Sequence, residues 1–267
     1  MKIITFATLK GGTGKTTNLF NVAGILAEKK RVLLIDMDPQ CNLTSDCGID
    51  VSDETIPTVR MILENVYQRE VPPEDIIIKA PIKELPKLDL IPSSIAMFHT
   101  EENLITRPAR EFILINYIED NRDYLEKNYD YIMLDTNPSM STTNINAFYA
   151  SDSIVLSSDV SANGIRGAEL FGDIWEMKRT PLRKEDNVKA LIICNVDKRT
   201  NLAKSLEEYA RKEQFSKDIV LKTTVPTSAF VKRTELFHKP SNVLYPRVKS
   251  TEVFREILKE LKKKGVL

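Results

Sequence analysis

The sequence has few cysteines and histidines, and it has no long run of apolar residues. Its 267 residues include 3 cysteines and 2 histidines. Cys41, Cys47 and Cys194 show no C-x-x-C spacing, and His99 and His238 stand alone, so no disulfide framework or zinc site is predicted. No apolar run approaches the roughly 18 residues that a membrane span needs. These absences favour a globular protein of a reducing cytoplasm over a secreted or membrane-spanning one.

The sequence also lacks a net charge, but its basic and acidic residues are distributed unevenly along the chain. Lys and Arg number 38, and Asp and Glu also number 38. Residues 183–267 hold 20 basic and 11 acidic residues, whereas residues 1–182 hold 18 basic and 27 acidic ones. A basic excess in one part of a chain indicates a surface that faces a polyanion, although solvated surface lysines would give the same count.

Apolar runs and amphipathic segments alternate along the chain. The runs typical of buried strands are KIITFAT, VLLID, DIIIK, LDLI, YIMLD, SIVLSS, VKALIICN and DIVLKTTVP. Helical patterns cover residues 15–29, 57–66, 109–125, 164–178 and 201–213, with two further helices near the C-terminus. Such alternation predicts an α/β fold with a doubly wound, mostly parallel sheet and helices on both faces. We find no linker, and we expect one domain over residues 1–267.

The stretch GGTGKTT follows the first predicted strand and opens a helix. Its glycines allow backbone N–H groups to approach phosphate oxygens, and the helix N-terminus adds partial positive charge. In a phosphate-binding loop, the lysine reaches the β- and γ-phosphates and the following hydroxyl binds Mg²⁺. The pattern therefore predicts a nucleotide site, and it leaves a second lysine, Lys10, without a role in that loop. The predicted contacts are Gly11, Gly12, Thr13, Gly14, Lys15, Thr16 and Thr17.

Several motifs together resemble those of the ParA/MinD ATPases. KGGTGKTT matches the deviant Walker A motif K-G-G-x-G-K-[ST] of this family of P-loop NTPases. DMDPQCNLT, at residues 36–44, resembles the D-x-D-P-Q-x-N-x-[ST] motif of ParA-type partition proteins. LDLIPSS, YIMLDTNPS and CNVDKRTNLAKSL resemble further stretches of the family, and the second of these is its Walker B segment. The motifs span most of residues 2–230, and the D-P-Q-x-N element favours ParA over MinD.

The resemblance implies an ATPase in which two subunits enclose two Mg-ATP molecules. It assigns Lys10 to the γ-phosphate in the partner's site, where a second cation stabilises developing charge as an arginine finger does. Lys10 then acts in catalysis together with Lys15. The alternative is a solvated lysine at the end of a strand.

Acidic residues follow two of the predicted strands. Asp36 and Asp38 stand two residues apart at the end of VLLID, a spacing that places both on one face of an extended chain. The resemblance implies that Asp38 positions the attacking water, that Asp36 supports the magnesium shell with Thr16, and that Asp135 reaches Mg²⁺ through water. The alternative for a lone aspartate at such a position is a turn or helix cap. Ligands bind at the carboxyl ends of the strands in this architecture.

The same comparison of motifs assigns roles to two further residues, and it shows one position at which this sequence differs from the family. The resemblance implies that the amide of Asn195, which offers a donor and an acceptor, contacts adenine. It also implies that Pro226 packs near the base, although a turn at a strand end is the alternative for both. Asn137 stands where the family has the first proline of P-P-S. We expect this change to loosen a loop that responds to nucleotide.

The resemblance also implies partners. ParA-type proteins dimerise on ATP and bind DNA without sequence preference, and a centromere-binding, ParB-like adaptor stimulates hydrolysis and releases them. We therefore expect a cytoplasmic, nucleoid-associated protein. Neutralisation of phosphates is sufficient for such binding. The candidate contacts in the basic part of the chain are Lys198, Arg199, Lys204, Lys232, Arg233, Arg247 and Lys249.

The C-terminal segment STEVFREILKELKKKGVL leaves a second function open. A basic amphipathic helix is typical of a protein that lies on an anionic membrane, as in a MinD-like ATPase that cycles on membranes to position cell division. The glutamates on its polar face favour a helix packed on the core, so we expect no stable membrane association. The apolar stripe consists of Val253, Phe254, Ile257, Leu258 and Leu261.

Other relatives of this fold agree less well with the sequence. An iron–sulfur carrier needs cysteines that bridge a dimer, and Cys41 and Cys47 lack such spacing. The first predicted strand begins at residue 2, so we expect the small ParA form, without an N-terminal helix-turn-helix domain.

Overall fold

The computed structural model describes residues 1–65, 71–197, 201–213 and 215–267, with the backbone alone for 201–204. The described strands are β1 (Lys2–Ala7), β2 (Val32–Asp36), β3 (Leu88–Ile91), β4 (Tyr131–Asp135), β5 (Ser153–Asp159) and β6 (Val188–Cys194). They form one sheet in the order β3-β2-β4-β1-β5-β6, and each neighbouring pair is parallel. The predicted doubly wound α/β fold is confirmed.

Helices cover both faces of this sheet. They are α1 (Lys15–Ala27), α2 (Asn42–Asp46), α3 (Arg60–Leu63), α4 (Pro73–Ile76), α5 (Met97–Leu104), α6 (Ile113–Asp120), α7 (Arg122–Asn128), α8 (Thr142–Ala150), α9 (Ala162–Arg179), α10 (Asn201–Lys212), α11 (Ala229–Leu236), α12 (Ser241–Leu244) and α13 (Lys249–Lys263). Strand β2 shows why both faces need cover: Val32 and Leu34 pack into one core cluster, whereas Leu33 and Ile35 pack into another. A strand buried on both sides therefore has no polar alternation.

Two predicted strands are wrong, because one begins inside a helix and a side chain occupies backbone amides of the other. The first two residues of DIIIK, Asp75 and Ile76, end α4, which begins with a proline at its first position, and Ile78 then makes one isolated antiparallel bridge to Leu90. In DIVLKTTVP, the carboxylate of Glu260 accepts from the N–H groups of Lys222 at 2.7 Å and Thr223 at 2.8 Å. Amides bonded to a carboxylate cannot join a strand ladder.

Three helical predictions also need correction. The helix predicted over 109–125 is divided between α6 and α7 at Asn121, whose side-chain amide donates to the carbonyl of Tyr117 at 2.9 Å. Such a local bond competes with the helical backbone pattern. Of the helix predicted over 57–66, the described residues show only α3. Three helices, α11 to α13, lie near the C-terminus, where two were expected.

The apolar stripe of α13 belongs to the core. Phe254, Ile257 and Leu261 are fully buried, and they pack in the same cluster as Leu19 and Val22 of α1. This arrangement agrees with the packed helix and leaves no apolar face for a membrane surface. Among the residues that the structure describes, no helix combines the length and apolarity needed to cross a bilayer.

Replacing Phe254 by alanine tests this packing. The substitution removes a fully buried ring, and we expect the free energy of unfolding to fall by about 3–5 kcal/mol. Urea denaturation measures the change, with Lys259→Ala on the exposed face of α13 as the matched control. A loss below about 1 kcal/mol would contradict the buried position, because exposed substitutions fall in that range.

Candidate functional site

The loop between β1 and α1 forms the floor of a pocket of about 520 Å³. Gly12 and Gly14 adopt left-handed backbone angles, with φ of 76° and 79°, which side-chain-bearing residues rarely adopt. Their geometry turns the chain from the strand into the first turn of α1. The pocket is lined by Thr8, the loop residues 10–17, Asp38, Gln40, Asn42, Ser45, Asp46, Pro138 and Glu235.

Lys15 forms the central ion pair of the site. Its ammonium donates to Oδ1 of Asp135, the last residue of β4, and to the hydroxyl of Thr16 at 3.1 Å. The Thr16 hydroxyl in turn donates to the other carboxylate oxygen of Asp135 at 2.6 Å. Lys15 is 6% exposed and Asp135 is fully buried. The Walker A and Walker B motifs therefore meet at one point.

Asp36 organises the loop that carries Asp38. Its two oxygens accept from the N–H of Asp38 at 3.0 Å and from the N–H and hydroxyl of Thr44 at 2.9 and 2.7 Å. Burial raises the pKa of Asp36, and the nearby charge of Asp135, its register partner on β4, acts in the same direction. Asp36 thus lies beneath the pocket, whereas Asp38 reaches the pocket wall.

Lys10 contacts its own chain. The ammonium donates to Oδ2 of Asp159 at 2.7 Å and to the hydroxyl of Ser161 at 3.1 Å. Asp159 ends β5, and Ser161 caps α9. The Lys10 side chain is 39% exposed, so it is neither solvated freely nor buried. The assignment of Lys10 to a partner's nucleotide stays a prediction.

Asn195 and Pro226 lie at the same edge of the sheet as the loop. The Asn195 amide donates to the carbonyl of Gly12 at 3.2 Å. Pro226 pairs with Val196 in an isolated bridge. Neither residue is among those that line the pocket, so their contact with adenine also stays a prediction.

The loop after Asp135 is held more firmly than its sequence indicated. The side-chain amide of Asn144 on α8 donates to Oδ1 and to the carbonyl of Asn137, both at 2.8 Å, and to the carbonyl of Ser139 at 2.8 Å. The Ser139 hydroxyl also donates to Oδ1 of Asn137. The expectation that Asn137 loosens this loop is wrong, because its side chain is an acceptor in a partly buried network.

Three acidic residues near the site were not predicted. Asp46 is buried in the pocket wall, and burial together with the charge of Glu235 raises its pKa to about 8. Glu235 accepts from the Thr17 hydroxyl at 3.2 Å, and Asp159 pairs with Lys10. Asp46 stands four residues after the last residue of the D-P-Q-x-N motif, which is a weak signal. Glu235 and Asp159 have no signal in the sequence, since only folding brings them to the loop.

The candidate DNA contacts fall into three groups. Lys198 and Arg199 lie outside the described residues, and the side chain of Lys204 is not described. Lys232 and Arg233 are exposed on α11. Arg247 and Lys249 are exposed at the start of α13. A ring contact between Phe230 and Tyr245, with centroids 5.1 Å apart, joins the last two groups.

The residues present fit a magnesium-bound nucleoside triphosphate. The buried hydroxyl of Thr13 has no hydrogen-bond partner among the described residues, and a phosphate oxygen is a suitable acceptor for it. A Cβ built on Gly11 or Gly12 meets nothing within 4 Å, so this side of the loop is open to a ligand. Lys15 and Thr16 would contact phosphate and magnesium, with Asp135 behind them.

Comparisons with known proteins agree with this geometry. The family model AAA_31, described as an AAA domain, matches residues 1–189. The sporulation initiation inhibitor protein Soj of Bacillus subtilis is 32% identical over 99% of both chains. The chromosome partitioning protein ParA of Myxococcus xanthus is 28% identical over 98% of this chain and 88% of its own length. The crystal structure of a putative plasmid partition protein from Borrelia burgdorferi bound to AMPPNP superposes with a TM-score of 0.76, at 26% identity and 98% coverage of both chains.

The Asn137–Asn144 network provides a test of the site's rigidity. Replacing Asn144 by alanine leaves partly buried acceptors on Asn137 and Ser139 without their donor, and we expect a loss of about 1–3 kcal/mol in the free energy of unfolding. Chemical denaturation of Asn137→Ala, Asn144→Ala and the double variant gives their coupling energy, with Asn163→Ala on the exposed side of α9 as control. Strictly additive effects would contradict a shared network.

Proposed function

Because the chain belongs to the ParA/MinD family of P-loop ATPases, we propose that it is a DNA-partition ATPase. Residues 1–267 act as one ATPase domain that binds Mg-ATP, dimerises on it and holds DNA without sequence preference in the cytoplasm. A ParB-like adaptor triggers hydrolysis and releases the dimer from the nucleoid. The observation that carries the proposal is the Lys15–Asp135–Thr16 cluster beside Asp38, at the carboxyl ends of β1, β2 and β4.

The positions of the side chains support the proposed catalytic roles. Lys15 would contact the β- and γ-phosphates, and Thr16 would offer its hydroxyl to magnesium, with Asp36 and Asp135 supporting the magnesium shell. When bound, magnesium neutralises charge on the phosphate oxygens. The carboxylate of Asp38 is oriented by the N–H of Gln40, which donates to Oδ1 at 2.9 Å. From the pocket wall it positions the attacking water.

Lys10 connects hydrolysis to dimerisation in this proposal. Its present partner, Asp159, lies in a partly exposed ion pair, and such pairs contribute little net stability. The triphosphate of a second protomer offers more negative charge, so Lys10 exchanges Asp159 for the γ-phosphate across the interface. Loss of that phosphate on hydrolysis returns Lys10 to its own chain and weakens the dimer.

Two substitutions separate binding from turnover. We expect Lys15→Ala to lose ATP binding, because the phosphates lose their cation. We expect Asp38→Ala to bind ATP and to dimerise, but to hydrolyse it about 100-fold more slowly or worse. A fluorescent ATP analogue, phosphate release and sedimentation with ATP, ADP or no nucleotide measure these steps. Normal turnover by Asp38→Ala would reject its assigned role.

Salt titration tests the proposed DNA surface. With ATP present, affinity for random-sequence duplex DNA should fall steeply as salt rises, since each phosphate that the protein neutralises releases counterions. The double substitution Lys232→Ala with Arg233→Ala should reduce the slope of log affinity against log salt by about 0.9 for each phosphate that is no longer neutralised. Lys259→Ala, on the outer face of α13, serves as the control. A flat salt response of the wild-type protein would reject the surface.

A further inference from the structure

Helix α11 carries residues that face two different sites. Lys232 and Arg233 are exposed on it and belong to the proposed DNA surface. Less than one helical turn later, Glu235 lines the nucleotide pocket, where its carboxylate accepts from the Thr17 hydroxyl at 3.2 Å. The basic surface and the phosphate loop are therefore joined by one short helix.

The end of α11 also contacts the segment that follows Asp38. His238, just beyond the helix, lies with Nδ1 2.6 Å from the carbonyl oxygen of Ser45 on α2. Glu235 and Asp46 lie close enough that the charge of Glu235 contributes to the raised pKa of Asp46. The helix is thus seated on both α1 and α2, which form two sides of the pocket.

The negative charge of Glu235 disfavours the binding of a nucleotide nearby. Thr17 is in the first turn of α1, where backbone N–H groups and the helix dipole attract phosphate. A carboxylate hydrogen-bonded to that hydroxyl occupies a position that phosphate oxygens favour, and the two anions repel each other. A triphosphate therefore binds at the expense of the Thr17–Glu235 contact.

Helix α11 buries few residues, so it can move when a nucleotide binds. All eight of its residues are described, and among them Thr234 alone is buried. Elements with little apolar burial move at a low free-energy cost. Its position is set by the partly buried Val231, by polar contacts at its C-terminal end and by the Phe230–Tyr245 ring contact.

We propose that Glu235 is the nucleotide sensor of this protein: bound triphosphate displaces it from Thr17, and the resulting movement of α11 shifts the exposed Lys232 and Arg233 into the position in which they bind DNA. The inference rests on the proposed function and adds the route by which nucleotide controls DNA binding. By reciprocity of linked equilibria, DNA raises ATP affinity by the same factor as ATP raises DNA affinity.

The substitution Glu235→Gln removes the charge and keeps the size of the side chain. We expect it to bind a fluorescent ATP analogue, with Mg²⁺, about fivefold more tightly than the wild-type protein. We also expect the ratio of DNA affinity with ATP to that without ATP to fall by about the same factor. The matched control is Glu252→Gln, an exposed glutamate in the first turn of α13 that makes the same charge change away from the pocket.

The control separates a sensor from a general charge effect. Glu252→Gln should raise DNA affinity equally with and without ATP, and it should leave ATP affinity unchanged. If Glu235→Gln behaves in the same way, the proposal is overturned. Hydrogen exchange of residues 229–236 gives an independent measurement, since ATP should accelerate it in the wild-type protein and have a smaller effect in Glu235→Gln.

Failure of the proposed function gives a different result. If the wild-type protein binds ATP but no DNA, the partition function is wrong, and the exchange of α11 decides the sensor: unchanged exchange on addition of ATP overturns it. If the wild-type protein binds no ATP, both proposals are rejected.

Discussion

The ion pair between Lys15 and Asp135 is the interaction on which the candidate site depends. Burying two charges is costly, and a buried carboxylate is stable only if its oxygens are bonded. Here one oxygen accepts from Lys15 and the other from Thr16, so the loop and the end of β4 are fixed to each other. The same pair keeps the lysine in place for phosphate, whose negative charge can replace part of that of Asp135. A structural constraint and a binding function therefore use the same atoms.

Further acidic side chains of the site each restrain a different segment. Asp36 holds the loop from Asp38 to Thr44, Asp159 holds Lys10, and Glu235 holds α11 through Thr17. Lys10 and Thr17, the partners of Asp159 and Glu235, carry groups to which phosphate oxygens can also bind. Binding of one polyanion can thus change several contacts together, which is the physical basis of the proposed link from ATP to dimerisation and to DNA.

Much of the fold and the centre of the site were predictable from the sequence, because local patterns determine them. Buried parallel strands leave apolar runs such as VLLID, and a phosphate loop needs glycine and lysine at fixed spacing, so β2 and Lys15 were found directly. The errors fall where side chains satisfy the backbone. Glu260 binds the amides of Lys222 and Thr223, Asn121 divides a helix, and Asn144 holds Asn137. These partners are distant or rotamer-dependent, and no periodicity records them.

The sequence by itself determined the six strands of the described sheet, the phosphate-binding loop and the acidic ends of β2 and β4, since each is a property of neighbouring residues. Only the tertiary structure decided that α13 buries its apolar face against α1 and that Lys10 is held by Asp159. It also decided that α11 brings Glu235 to the pocket. Those contacts join segments far apart in the chain, and their formation depends on the packing of helices over a completed sheet rather than on any local pattern.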